Sequence, residues 1–94
     1  MNALSTKRIT VPPDVLVNVI DGESVLLNLK NERYFGLDEV GTRMWQVLSG
    51  SDSIKAAYEA LLAEYDVDPE QLRRDLENLI EQLLEHGLVE TSDE

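Results

Sequence analysis

VLLNLKNERYFGLDEVGTRMWQVLSG, residues 25–50, is the stretch that decides the fold. Val25, Leu27 and Leu29 alternate with Leu26, Asn28 and Lys30, and a period of two makes a strand. Asn31-Glu32 supplies a turn, and Arg33 to Leu37 returns as the next strand. Asp38 stands where a helix needs its N-cap, and Val40, Met44, Val47 and Leu48 share one face of the helix that follows. That helix carries the only tryptophan, Trp45, and stops near Gly50, a residue suited to the position just past a helix end. A sheet that ends at Leu37 leaves its last strand at an edge. The unpaired backbone N–H and C=O groups there are open to another chain.

Upstream, Val15 to Ile20 is β-branched and weakly alternating, a strand by the same reasoning. Asp21-Gly22 joins it to the next strand with the residues of a two-residue hairpin. The expectation is an antiparallel meander over 15–20, 23–30 and 33–37. Two-residue turns put Leu16, Ile20, Val25, Leu27, Leu29 and Tyr34 on one face and Val15, Val17, Val19, Leu26, Phe35 and Leu37 on the other. Both faces are largely apolar, so a cover is expected on each: helices on one, the N-terminal arm or a second copy on the other. Ile9-Thr10-Val11 makes a short extended piece before Pro12-Pro13, which break regular structure.

Downstream, two more helices are expected, over about 53–65 and 69–86. The first buries Ile54, Ala57, Tyr58, Leu61, Leu62 and Tyr65. Asp68 caps the second, Pro69 takes its first position, Gln71 completes a capping-box spacing, and Gly87 ends it. Leu72, Leu76, Leu79 and Leu83 form its core row. Arg73, Glu77, Ile80 and Leu84 form a second row, so the apolar stripe is wider than one partner requires. Leu88-Val89 returns briefly against the sheet. The fold class is α+β, like a winged helix-turn-helix with the sheet placed before its helices. A flexible arm over 1–8, one domain over 9–90 and an acidic tail over 91–94 complete the organisation.

The chain has 94 residues, which supports one modest core. It has no cysteine, so disulfides and thiolate metal sites are excluded. No apolar run approaches a membrane span, and MNALSTKR has no signal-peptide core behind it, so a cytoplasmic protein is expected. The net charge of −11 is unevenly spread. Residues 1–50 hold 6 acidic and 5 basic side chains, whereas residues 51–94 hold 13 and 3. Nucleic-acid affinity comes mostly from Lys and Arg on phosphates. The last helix carries Glu70, Asp75, Glu77, Glu81 and Glu85 against Arg73 and Arg74, which argues against the DNA reading usual for winged helices.

Gly50-Ser51-Asp52-Ser53-Ile54 matches the short pattern around the phosphopantetheine serine of acyl and peptidyl carrier proteins, an alternative that would place the cofactor on Ser53. Carriers are all-helical, however, and strands precede this serine, so a helix cap is the simpler role. No catalytic or metal-ligating set emerges. His86 is the only histidine and sits at a helix end, and Asp66 and Asp68 are loop and capping residues. No glycine-rich phosphate loop is present. A non-catalytic binding module without cofactor or metal is the expectation.

ESVLLNLKNERYFGLDEVGTRMWQVLSG, followed by ALLAEYDVDPEQLRRDLENLIEQLLEHGLV, resembles the PqqD family of precursor-peptide recognition elements. The segment YFGLDEVGTRMWQVL is most similar to the stand-alone leader-binding proteins of lasso-peptide biosynthesis. The resemblance covers about residues 9–90. It implies that a leader peptide adds as a fourth strand along Arg33, Tyr34, Phe35, Gly36 and Leu37. Gly36 would permit close backbone approach, and Arg73, Leu76, Glu77, Ile80 and Leu84 would form the far wall. It further implies that an aromatic and a proline of the leader anchor in an apolar pocket, and that Arg33 and Arg73 hold acidic leader side chains. Its implied partners are the leader peptide, a leader protease and a ring-closing enzyme.

Overall fold

The computed structural model describes residues 7–93. Strands β1 (Lys7–Thr10), β2 (Val15–Ile20), β3 (Glu23–Asn28) and β4 (Arg33–Leu37) precede helices α1 (Glu39–Gly50), α2 (Ile54–Glu64) and α3 (Pro69–Glu85), and β5 (Glu90–Asp93) follows. The α+β architecture read from the sequence stands, with one sheet of order β2-β3-β4 and three helices. The sequence reading did not anticipate a second sheet. Leu88 and Val89 are buried, but the chain then pairs as β5 with β1 and not with the meander. Lys7 and Arg8 of the expected arm, and Thr91 to Asp93 of the expected tail, are therefore strand residues. Residues 1–6 of the arm lie outside the described residues.

Asp21 (φ 55°) and Gly22 (φ 84°) form the two-residue turn expected between β2 and β3, with Ile20 opposite Glu23. The second turn is longer. Asn28 faces Arg33, so Leu29 to Glu32 form a four-residue loop and the expected strand end at Lys30 is two residues too late. Two asparagine side chains cause this. Asn28 Oδ1 accepts from the Lys30 N–H at 2.8 Å and Asn31 Oδ1 from the Arg33 N–H at 2.9 Å. Such local bonds compete with the ladder and favour a turn. A shift of two residues takes Leu29 out of the strand but leaves every side chain that stays in one on its expected face, because the pleat repeats every two.

The inner face of the sheet, centred on Leu26, Phe35 and Leu37, packs against the helices. Trp45, Met44 and Leu48 fill the interface from α1, and Ile54, Ala57 and Leu61 of α2 extend the same core against α1, α3 and β1. Val40, expected on the buried face of α1, is exposed; Thr42 is buried instead, its hydroxyl 2.8 Å from that of Ser24 in β3. Asp38, Ser53 and Asp68 cap the three helices as expected, each accepting from the N–H three residues on. Gly50 is the last residue of α1 and not a left-handed stop, because Ser51 turns away extended and its hydroxyl donates to the Val47 carbonyl at 2.6 Å. Arg43 reaches across to α2 with two bonds to Glu64, at 2.8 and 2.9 Å, which hold that carboxyl below the usual carboxylate range.

No described element covers the outer face. Leu16, Leu27 and Tyr34 stand opposite one another across all three strands there, and Tyr34 is 71% exposed. The part of the N-terminal segment that is described pairs with β5 and does not lie on this face.

A strand edge, a groove and an apolar pocket

The Asp21-Gly22 turn fixes which backbone groups are free. A two-residue hairpin makes Ile20 and Glu23 a hydrogen-bonded pair, so Glu23, Val25 and Leu27 direct their N–H and C=O groups to β2. Ser24, Leu26 and Asn28 then serve β4, opposite Leu37, Phe35 and Arg33. Tyr34 and Gly36 are left with backbone N–H and C=O groups directed outward from β4, and no further described strand pairs with it. A Cβ at Gly36 would meet nothing within 4 Å, so the outer face above this part of β4 is open.

Beside this edge runs a groove of about 430 Å³. Its strand wall is Phe35, Gly36, Leu37 and Asp38, and its helix wall is Asp75, Asn78, Leu79 and Gln82 of α3. The spacing of three, four and seven residues puts those four side chains on one flank of the helix. One end is closed. Phe35 lies against His86 with ring centroids 5.1 Å apart, tilted by 55°. Asn28 Nδ2 donates to the Gly87 carbonyl at 2.6 Å and Asn31 Nδ2 to the His86 carbonyl at 3.5 Å, which pins the β3–β4 loop to the end of α3. Gly87 has φ +70°, and a Cβ on it would crowd both amides at 3.1 and 3.2 Å, so glycine is needed there for its conformation and for its size.

At the other end Asp75 also borders a more enclosed apolar pocket of about 150 Å³. Val40 and Met44 of α1, Tyr65 and Val67 before α3, and Leu72 line it. The exposed side chains of Val40, near the start of α1, and Val67, in the α2–α3 connection, mark the rim of this pocket.

The structure brings Arg33 to Leu37 together as the free edge but separates the expected helix wall from it. Leu76 and Ile80 are core residues, with Ile80 fully buried. Arg73 and Glu77 lie on the flank opposite the groove and pair with each other at 3.0 Å; Arg73 also pairs with Glu70, whose carboxyl it holds below the usual range. Leu84 is exposed on that same side. Leu79, assigned to the core row, lines the groove. Sequence reasoning missed Asp75, Asn78, Gln82 and the pocket residues Val40, Met44, Tyr65 and Val67. Ser53 of the carrier-like pattern is a helix cap within a strand-containing fold, which removes the carrier alternative.

The family model for coenzyme PQQ synthesis protein D (PqqD) matches residues 23–89, from the start of β3 through the buried Val89. The chain belongs to the PqqD family. Among solved structures, this PqqD-family chain is similar to "TbiB1 in Complex with the TbiA(beta) Leader Peptide", with 37% identity and a TM-score of 0.78, covering 86% of this chain and 94% of that one. It is also similar to "Lasso peptide synthetase B1 complexed with the leader peptide", with 26% identity and a TM-score of 0.74, covering 92% and 99%. No curated protein sequence matches it. Among the described residues of this PqqD-family protein, no helix is long and apolar enough to cross a membrane and no group of three His, Cys, Asp or Glu side chains could hold a metal ion.

Proposed function

We propose that this chain binds the leader segment of a ribosomally made precursor peptide and presents the remainder to the enzymes of lasso-peptide maturation. The observation that carries this reading is the free β4 edge beside an open groove, in a fold shared with two proteins solved with leader peptides. The leader lies along β4 as a fourth strand, bonded to the outward backbone groups of Tyr34 and Gly36. Backbone pairing supplies affinity that depends little on sequence, and side-chain pockets supply selectivity. The groove wall of Asp75, Asn78, Leu79 and Gln82 takes alternate leader side chains. The pocket of Val40, Met44, Tyr65, Val67 and Leu72 takes an apolar or aromatic anchor. Arg33, exposed at the end of β4, is the cation placed to meet an acidic leader side chain, whereas Arg73 is occupied by Glu70 and Glu77. The role is delivery: tethering raises the local concentration of the core peptide at a leader protease and a ring-closing enzyme, with no chemistry done by this chain.

Fluorescence polarisation of a labelled leader tests the pocket. Val67→Asp puts a carboxylate on its rim without disturbing a buried side chain. Leader affinity should fall by about tenfold or more, because binding would strip water from an unpaired charge. Unchanged affinity in a variant that melts like wild type would rule the pocket out as the anchor site. Mass spectrometry tests the delivery role: the precursor incubated with this chain alone should keep its mass, and any cleavage or cyclisation would refute a purely binding role.

A further inference from the structure

We infer that β2 is a self-pairing edge that joins two copies of this chain into one continuous sheet. The type of turn at Asp21-Gly22 again fixes the backbone. Ile20, Asn18 and Leu16 bond to β3, so Val15, Val17 and Val19 point theirs away from the sheet. The Val15 N–H is taken by the Pro12 carbonyl at 3.1 Å. The N–H and C=O groups of Val17 and Val19 have no partner among the described residues.

Edge strands are normally protected by charge, proline or shortness. The other described edges are: β1 carries Lys7 and Arg8, β5 starts with Glu90, and β4 starts with Arg33 and has α3 beside it. The six residues of β2, VLVNVI, contain no charge and no proline. They are exposed on both sides of the sheet. Leu16 and Ile20 are 54% and 62% exposed on the outer face, and Val17 and Val19 are 39% and 48% exposed on the inner face, beyond the reach of the helices.

The pattern is self-complementary, which is why the partner is a second copy. A two-fold axis through Asn18 sets Val17 of each copy opposite Val19 of the other, in hydrogen-bonded pairs that use all four free groups of each strand. It sets Leu16 opposite Ile20 on the outer face and the two Asn18 amides opposite each other. Such an interface is isologous and closed. The resulting order is β4-β3-β2-β2-β3-β4. The two β4 strands are then about 24 Å apart at a spacing of about 4.8 Å per strand. The acidic α3 helices flank the outermost strands, at a separation beyond the Debye length of about 8 Å at physiological salt, so their repulsion is screened. Both β4 edges remain open.

The native chain has no cysteine, so Asn18→Cys supplies a single thiol at a directly opposed, non-hydrogen-bonded position. Cβ atoms of such pairs lie about 4.5–5.5 Å apart, close enough for a disulfide after small adjustment. The expected results are three. Sedimentation equilibrium of the wild-type chain from micromolar to millimolar concentration gives a mass rising about twofold, to the dimer. Val19→Lys returns the mass to that of a monomer with its melting curve unchanged. Asn18→Cys oxidises to a covalent dimer, whereas Val25→Cys on the outer face does not. A wild-type monomer at millimolar concentration would overturn the proposal. So would a dimer that persists in Val19→Lys, or one in which Val25→Cys crosslinks and Asn18→Cys does not, which would indicate stacking of the outer faces.

Discussion

Tyr34→Pro is expected to weaken leader binding in a protein that still folds, and Phe35→Pro to unfold the protein. Both substitutions delete a backbone N–H, but adjacent N–H groups of a strand point to opposite sides. The Tyr34 N–H faces the open edge, where the leader lies in the proposed complex, and its side chain stands in solvent on the outer face. Losing that donor leaves a leader carbonyl unpaired, at a cost of about 1–3 kcal/mol, or roughly five- to 150-fold in affinity. The Phe35 N–H is directed to Leu26 at the centre of the sheet, and its ring packs on the core and on His86. Proline there costs at least about 3 kcal/mol, a large part of the stability of a domain this size. Tyr34→Ala separates the contributions, since it keeps the N–H and should bind almost as wild type. Polarisation with the labelled leader and thermal melting of the three variants provide the check. If Tyr34→Pro melts near wild type and binds equally well, the leader does not add to this edge.

Neighbouring leucine-like positions on α3 should likewise part company. Ile80→Ala removes a fully enclosed side chain and should destabilise by about 2–5 kcal/mol, lowering the melting temperature by about 10 °C or more. The molecules that remain folded should bind the leader normally. Leu79→Ala trims the groove wall and should cost less stability, with a loss of up to about 1–3 kcal/mol of binding free energy if the leader buries that side chain. The reverse assignment of effects, measured by melting and polarisation together, would place the groove on the other flank of α3.

That flank marks where sequence reasoning ran out. The strands, their faces and the helix caps were legible because each rests on local chemistry: a period of two, an Asp-Gly turn, a capping aspartate. Even the misplaced β3–β4 loop left the faces right, because the error was two residues. The apolar stripe of α3 spans Leu72, Leu76, Leu79, Ile80, Leu83 and Leu84, and periodicity shows only that it is wide. Which border of the stripe turns to β4 depends on how α3 crosses the sheet, and that is settled at the Asn28 and Asn31 bonds to its far end. The pocket was invisible for a similar reason. Its walls come from α1, the α2–α3 connection and α3, and only the stray exposure of Val40 and Val67 hints at it. The pairing of β5 with β1 joins residues eighty or more positions apart, beyond any local pattern.

The Asn28 clamp makes the two ends of the groove unequal. At the His86 end the distance between the walls is set by directional bonds of definite length. At the pocket end α3 is tied to α2, through the Tyr58 hydroxyl on the Pro69 carbonyl at 3.1 Å, and the cavity is bounded by side chains whose contacts have no preferred direction. A ligand held this way meets a strict ruler at one end and a forgiving socket at the other. Exchanging one large apolar anchor for another in the leader should be tolerated. Inserting a single residue between anchor and strand should not be, because a slip of one turns every following side chain to the wrong side.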